Sequence, residues 1–153
     1  MTKILVVDDE QHIRELYSLE LASEGYDVET RASCVNLLRD METSKPNLII
    51  LDIRLVDDDG LEVLLEIREH YPDVPVILCS AYDSYRYDIR TIAADAYVVK
   101  SFDLSELKMM IRRALEGKTP ASLTLLPLLG EIRNGKAKGA ERLAIGRGIE
   151  CTG

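Results

Sequence analysis

Four short apolar runs punctuate the chain: Ile4–Val7, Leu48–Leu51, Val76–Cys79 and Ala96–Val99. Each is near strand length, rich in β-branched residues and apolar at successive positions, the pattern of strands covered on both faces of a parallel sheet. A weaker alternating run, Tyr26–Thr30, predicts a fifth strand at a sheet edge. Helical spacing fills the gaps. Ile13, Leu16, Tyr17 and Leu21 share one stripe, and so do Cys34, Leu37, Leu38 and Met41, with Ser33 as N-cap. Leu61, Leu64 and Leu65 follow Gly60, and Leu104, Leu107, Ile111 and Leu115 close the series. Ser84–Ile92 carries Tyr85 and Tyr87 among polar neighbours and is the weakest helical pattern. Gly25 and Lys45-Pro46-Asn47 supply stops.

Five strands alternating with five helices imply right-handed crossovers and an α/β, doubly wound parallel sheet in three layers. In such sheets the loops at the carboxyl ends of the strands form the ligand crevice. After Leu115 the pattern decays. Glu116-Gly117-Lys118-Thr119-Pro120 reads as a helix stop and linker, so residues 1–118 form one domain. Residues 119–153 hold a single short apolar stretch, Leu123–Leu129 interrupted by Pro127, and read as a loosely ordered tail with no effector domain.

Charge sharpens this division. The chain of 153 residues carries a net −8, but residues 1–118 hold 24 acids and 14 bases while residues 119–153 hold 3 acids and 5 bases. An acidic main domain argues against gripping nucleic-acid phosphates. No apolar run approaches the roughly 20 residues that span a bilayer, and MTKILVVDDE lacks the features of a secretory signal, so a cytoplasmic location is expected. Cys34, Cys79 and Cys151 are widely spaced and odd in number, which argues for free thiols rather than a disulfide framework or zinc site. Only His12 and His70 are available to a transition metal.

The sheet edge then turns residues into a site. Asp8 and Asp9 follow the first strand, Asp52 ends the third, Ser80 the fourth and Lys100 the fifth. Three carboxylates packed together repel one another unless a cation offsets the repulsion. Oxygen ligands alone favour a hard ion, Mg²⁺, with Mn²⁺ fitting the same set. A central carboxylate can act as nucleophile toward phosphorus, with an ammonium and a hydroxyl meeting the phosphoryl oxygens. Asp52, Lys100 and Ser80 fill those roles. Strand ends are often capped by Asp or Ser, but five such residues at successive strand ends outweigh that plainer reading.

The motifs ILVVDDE, LIILDIRLVDDDG, VILCSA and ADAYVVKSF together resemble the receiver domain of two-component response regulators, over about residues 1–118. The resemblance implies a CheY-like, flavodoxin-like fold of strand order 2-1-3-4-5. It implies a signalling phospho-acceptor rather than an enzyme, taking part only in its own phosphotransfer and dephosphorylation. It places Asp52 on the residue that a sensor histidine kinase or phosphotransfer protein phosphorylates. Asp9, Asp52 and the backbone carbonyl of Arg54 fall on the metal ligands, Asp8 on the acid that acts through a metal-bound water, and Ser80 and Lys100 on the switch hydroxyl and the lysine. Tyr97 falls where the family places an aromatic that turns inward as Ser80 moves to the phosphoryl group. The small Ala81 would leave the acyl phosphate open to water. The output partner is not specified, and a homodimer stays open.

Two positions depart from the family. Receiver domains commonly follow the lysine with proline through a cis peptide, and here Ser101 stands instead. A cis peptide costs roughly 2.5–4 kcal/mol without proline against about 0.5–1 with it. Either that cost is met or Lys100 approaches through a trans peptide; the family geometry favours cis. Val56 replaces another common proline, which predicts a more flexible loop over Val56–Asp59, and Asp57, Asp58 and Asp59 there read as solvated acids. Three other classes compete. A transcription factor with a divergent output in residues 119–153 lacks any helix-turn-helix pattern. A phosphate-ester hydrolase lacks a second acid at position 54, and an FMN protein lacks the phosphate loop after the first strand.

Overall fold

The computed structural model describes residues 1–117. The expected linker and tail over residues 119–153 lie outside the described residues. Strands β1 (Lys3–Val7), β2 (Asp27–Arg31), β3 (Leu48–Asp52), β4 (Val76–Ser80) and β5 (Ala96–Val99) form one parallel sheet in the order β2-β1-β3-β4-β5. The four apolar runs are thus its β1, β3, β4 and β5, and the alternating run is its edge strand β2. Helices α1 (Gln11–Ser23), α2 (Leu37–Ser44), α3 (Gly60–His70) and α4 (Ser105–Glu116) cover the two faces.

Alternation along each strand separates two cores. Ile4, Val6, Leu48, Ile50, Ile77 and Cys79 pack with Ile13, Tyr17 and Leu21 of α1 and Leu107 and Ile111 of α4. Leu5, Val7, Ile49, Leu51 and Leu78 pack on the opposite face with Leu37 and Met41 of α2 and Leu61, Leu64, Leu65 and Ile67 of α3. Each fully buried aliphatic side chain stabilises the fold by about 1.5–3 kcal/mol, which makes the register of β1, β3 and β4 hard to slip.

A buried ion pair ties α3 to the residue that precedes β5. Arg68, near the end of α3, donates Nε to the carbonyl of Ala93 (2.6 Å), Nη1 to that of Val74 (2.6 Å) and Nη2 to the Asp95 carboxylate. Asp95 also accepts from the amide of Val76 at 2.8 Å. Both side chains are 1% exposed, so each charge depends on its partners.

Three expectations need correction. The predicted helix over Ser84–Ile92 is two short 3₁₀ turns, Asp83–Tyr87 and Ile89–Ala93, so the described residues hold four α-helices rather than five. Asp88 divides the segment: its extended backbone ends the first turn, and its carboxylate accepts from the amide of Arg90 to cap the second. Ser33 is not the N-cap of α2. Its hydroxyl accepts from the amide of Val35 in a local turn, and α2 begins after Asn36, whose left-handed φ of 59° re-aims the chain. The Lys100–Ser101 peptide is trans, as is every peptide bond among the described residues. A residue other than proline prefers trans by roughly 2.5–4 kcal/mol, so serine in place of proline favours the trans form found here.

The expected stops hold. Gly25 leaves α1 at φ 95° and Lys45 leaves α2 at φ 50°.

Candidate functional site

The carboxyl ends of β1, β3, β4 and β5 converge on one edge of the sheet. Asp8 extends the β1–β2 ladder by donating its amide to the carbonyl of Arg31 at 3.0 Å. Its side chain is therefore fixed and 2% exposed, with Oδ1 accepting from the amide of Glu10 at 2.9 Å. Asp52 is the last residue of β3, 4% exposed, and its Oδ1 lies 3.4 Å from the amide of Arg54. Asp9 is half-buried at the rim.

Lys100 reaches this group from β5. Its amide donates to the carbonyl of Ser80 at 2.7 Å, which carries the β4–β5 pairing one residue past the end of β5. From there its ammonium lies 2.8 Å from Oδ2 of Asp8, 3.0 Å from Oδ2 of Asp52 and 3.1 Å from Oε1 of Glu10. The backbone rung, rather than the residue after it, sets the approach of the lysine.

Electrostatics follow from this crowding. Burial pushes the carboxyl of Asp52 up, the neighbouring Asp8 carboxylate adds to the rise, and Lys100 and the Arg54 amide pull it back, leaving it at about 6. For Lys100, burial favours the neutral amine, but Asp8 and Asp52 outweigh it and hold the ammonium above its ordinary range.

Asp8, Asp9, Glu10 and Asp52 each offer one carboxylate oxygen within 4.8 Å of the others. An all-oxygen set without histidine or thiolate suits a hard divalent cation, so these residues fit Mg²⁺ or Mn²⁺. Asp57, Asp58 and Asp59 stand apart from this cluster. Asp59 instead caps α3 through the amide of Leu61 at 2.9 Å.

Ser80 and Tyr97 form the neighbouring pair. Ser80 is 1% exposed, and its hydroxyl oxygen accepts from the amide of Tyr82 at 3.1 Å. The hydroxyl of Tyr97 donates to the carbonyl of Tyr82, and its ring lies 4.8 Å from the guanidinium of Arg86. Burial pushes the phenol of Tyr97 up, while the adjacent Ser80 hydroxyl and Arg86 work the other way.

Every residue singled out at the strand ends lies at this edge. Sequence reasoning missed two contributors. Glu10, directly after the paired aspartates, is both a fourth carboxylate and a partner of Lys100. The side chain of Arg54 lies 5.5 Å over the ring of Tyr82, and both line the pocket together with Asp52, Ser80 and Lys100. Adjacency in VVDDE signals the first. No sequence pattern signals the second, because the pair joins two loops.

A sequence profile of the response regulator receiver domain matches residues 4–112. Among solved structures, the response regulator TrrA from Thermotoga maritima, in complex with Mg²⁺–BeF, superposes with a TM-score of 0.72 at 45% identity, covering 75% of this chain and 100% of that one. A structure of histidine kinase ThkA in complex with TrrA superposes with a TM-score of 0.71 at the same 45% identity, covering 75% and 99%. Among curated proteins, the regulatory protein AtoC of Escherichia coli strain K12 is 33% identical over 118 residues, covering 76% of this chain and 26% of that protein. Response regulator MprA of Mycobacterium bovis is 31% identical over 149 residues, covering 89% and 65%. The chain thus spans between about a quarter and about two thirds of the length of these two relatives.

Proposed function

Because the chain belongs to the response regulator receiver family, we propose that it is the phospho-accepting element of a two-component phosphorelay, with Asp52 as the acceptor. The observation that carries this reading is the position of Lys100, 3.0 Å from Oδ2 of a buried Asp52 beside three further carboxylates. An ammonium there pairs with a phosphoryl oxygen once Asp52 carries the acyl phosphate.

In the transfer, a carboxylate oxygen of Asp52 attacks phosphorus as the bond from phosphorus to the donor's histidine nitrogen breaks, and the electron pair leaves with the imidazole. Asp9, Asp52 and the carbonyl of Arg54 would hold the cation, with Asp8 acting through water. Mg²⁺, or Mn²⁺ in its place, supplies positive charge to the phosphoryl oxygens. Ser80 then donates its hydroxyl to one of those oxygens, giving up its place beside the Tyr82 amide, and Tyr97 follows into the space Ser80 leaves. That exchange alters the surface around Tyr82–Thr91, which an output protein or a second copy of the chain reads.

The TrrA complex with a histidine kinase supports a sensor histidine kinase as donor. No helix among the described residues is long and apolar enough to cross a membrane. The acidic balance of residues 1–118 sets this unit against direct DNA binding. A cytoplasmic location fits this role.

Incubation with acetyl phosphate and Mg²⁺, followed by intact mass, tests the assignment. One added phosphoryl group is expected, absent in Asp52→Ala and after chelation of the metal. Persistent labelling of Asp52→Ala would overturn it.

A further inference from the structure

Arg90 is the second residue of the second 3₁₀ turn, and Asp88, the N-cap of that turn, orients it. Oδ1 of Asp88 accepts from Nε of Arg90 at 3.0 Å and Oδ2 from Nη2 at 2.7 Å. This two-pronged grip occupies one edge of the planar guanidinium. The remaining Nη1 is left facing another part of the molecule, where it donates to Oδ2 of Asp59 at 3.0 Å and to Oε1 of Glu62 at 2.8 Å.

Asp59 is a junction. Its other carboxylate oxygen caps α3, and its backbone forms an antiparallel bridge with Arg54. Beside that bridge, the amide of Leu55 donates to the carbonyl of Asp58 at 3.3 Å and the amide of Gly60 to that of Ile53 at 2.7 Å. Gly60 packs so closely that a Cβ there would sit 2.1 Å from the carbonyl oxygen of Asp52. The loop that Arg90 grips therefore carries the Arg54 carbonyl at one end and rests on the Asp52 backbone at the other.

We infer that Arg90 is a positioning residue for the acidic pocket, fixing Asp59 and, through the Arg54–Asp59 bridge, the loop that presents the Arg54 carbonyl to a cation. This rests on reading Asp52 and its neighbours as a cation-assisted phosphorylation site. A single exposed ion pair would hold a loop weakly. Here one guanidinium, gripped on a second edge, serves Asp59 and Glu62 together. The route differs from the Ser80–Tyr97 pair, and it also ties the pocket to the Asp83–Ala93 segment.

Two measurements on the full chain test it. The first is amide hydrogen exchange without added metal, comparing wild type with Arg90→Met and with Asp59→Asn, which keeps an N-cap oxygen but removes the charge. Exchange at Leu55 and Gly60 is expected to quicken by about tenfold in each variant, with the β4 amides unchanged. The second is calorimetric titration with Mg²⁺, where each variant is expected to bind about tenfold more weakly. The double variant is expected to be no worse than either single one, because both act through one contact. Unchanged exchange at Leu55 and Gly60 in Arg90→Met, or additive losses in the double variant, would overturn the inference. A wild-type chain that binds no Mg²⁺ would count against the reading of the pocket itself, while the exchange measurement still decides the role of Arg90.

Discussion

The ammonium of Lys100 lies 3.0 Å from Oδ2 of Asp52, yet the carboxyl of Asp52 still holds its proton up to about pH 6. Burial and the Asp8 carboxylate together exceed what one lysine, shared among three acids, returns. Asp52 is thus a residue that costs the fold stability when charged. Its folded pKa is raised above the ordinary 3.8, so its contribution is fully present below that value and is lost as pH rises through about 6.

Asp52→Asn should accordingly stabilise the metal-free protein at neutral pH, by about 1–2 kcal/mol. Urea unfolding at pH 7 reads this directly. The gain should shrink towards pH 4, where the wild-type carboxyl is already protonated. A variant less stable than wild type at pH 7 would contradict the account.

The same proton competes with a cation. Acidification from about pH 7.5 to about pH 5 should weaken Mg²⁺ binding roughly tenfold, because Asp52 must lose its proton to act as a ligand. Calorimetric titration at the two pH values measures it, and an affinity that does not move would rule out Asp52 as a ligand titrating in that range.

Gly60 has no room for a side chain. Gly60→Ala would place Cβ against the carbonyl oxygen of Asp52 and the backbone of Ile53, so α3 or β3 must shift. A loss of about 1–3 kcal/mol is expected, with slower labelling by acetyl phosphate than in wild type. Urea unfolding and a labelling time course test both, and unimpaired labelling would show that the contact tolerates displacement.

The buried Arg68–Asp95 pair makes a prediction away from the pocket. Arg68→Met removes donors to Ala93, Val74 and Asp95 and takes the guanidinium away from a buried carboxylate. A cost of about 3–5 kcal/mol is expected, partly recovered when Asp95→Asn is added. A double variant no more stable than Arg68→Met alone would mean that the backbone bonds, not the charges, carry the loss.

The strands were legible because a parallel sheet covered on both faces writes itself as continuous apolar runs, as in Leu48–Leu51 and Val76–Cys79. The pocket was legible for a related reason: residues directly after such runs, Asp8, Asp9 and Lys100 among them, share one edge whatever the connections do. The segment Asp83–Ala93 was not legible. Its tyrosines form no apolar stripe, and the two turns are decided by where Asp88 caps. The start of α2 depended on a left-handed Asn36, a conformation that residue type permits but does not require. The trans peptide before Ser101 went against an expectation drawn from family geometry rather than from the residue itself. The grip of Arg90 on Asp59 joins residues 31 positions apart, and the local partners of each, Asp88 for Arg90 and Leu61 for Asp59, give no sign of it.

The lysine that meets Asp8 and Asp52 arrives directly after β5, the last strand among the described residues. A nascent chain that has released β1 to β4 but not β5 would hold its acidic residues with no ammonium to meet them, and β4 would lack the rung that fixes Lys100. The pocket is thus complete only once β5 has joined β4. The charge balance at this edge therefore depends on the whole sheet from β1 to β5, and a chain ending before β5 would lack the ammonium that meets Asp8 and Asp52.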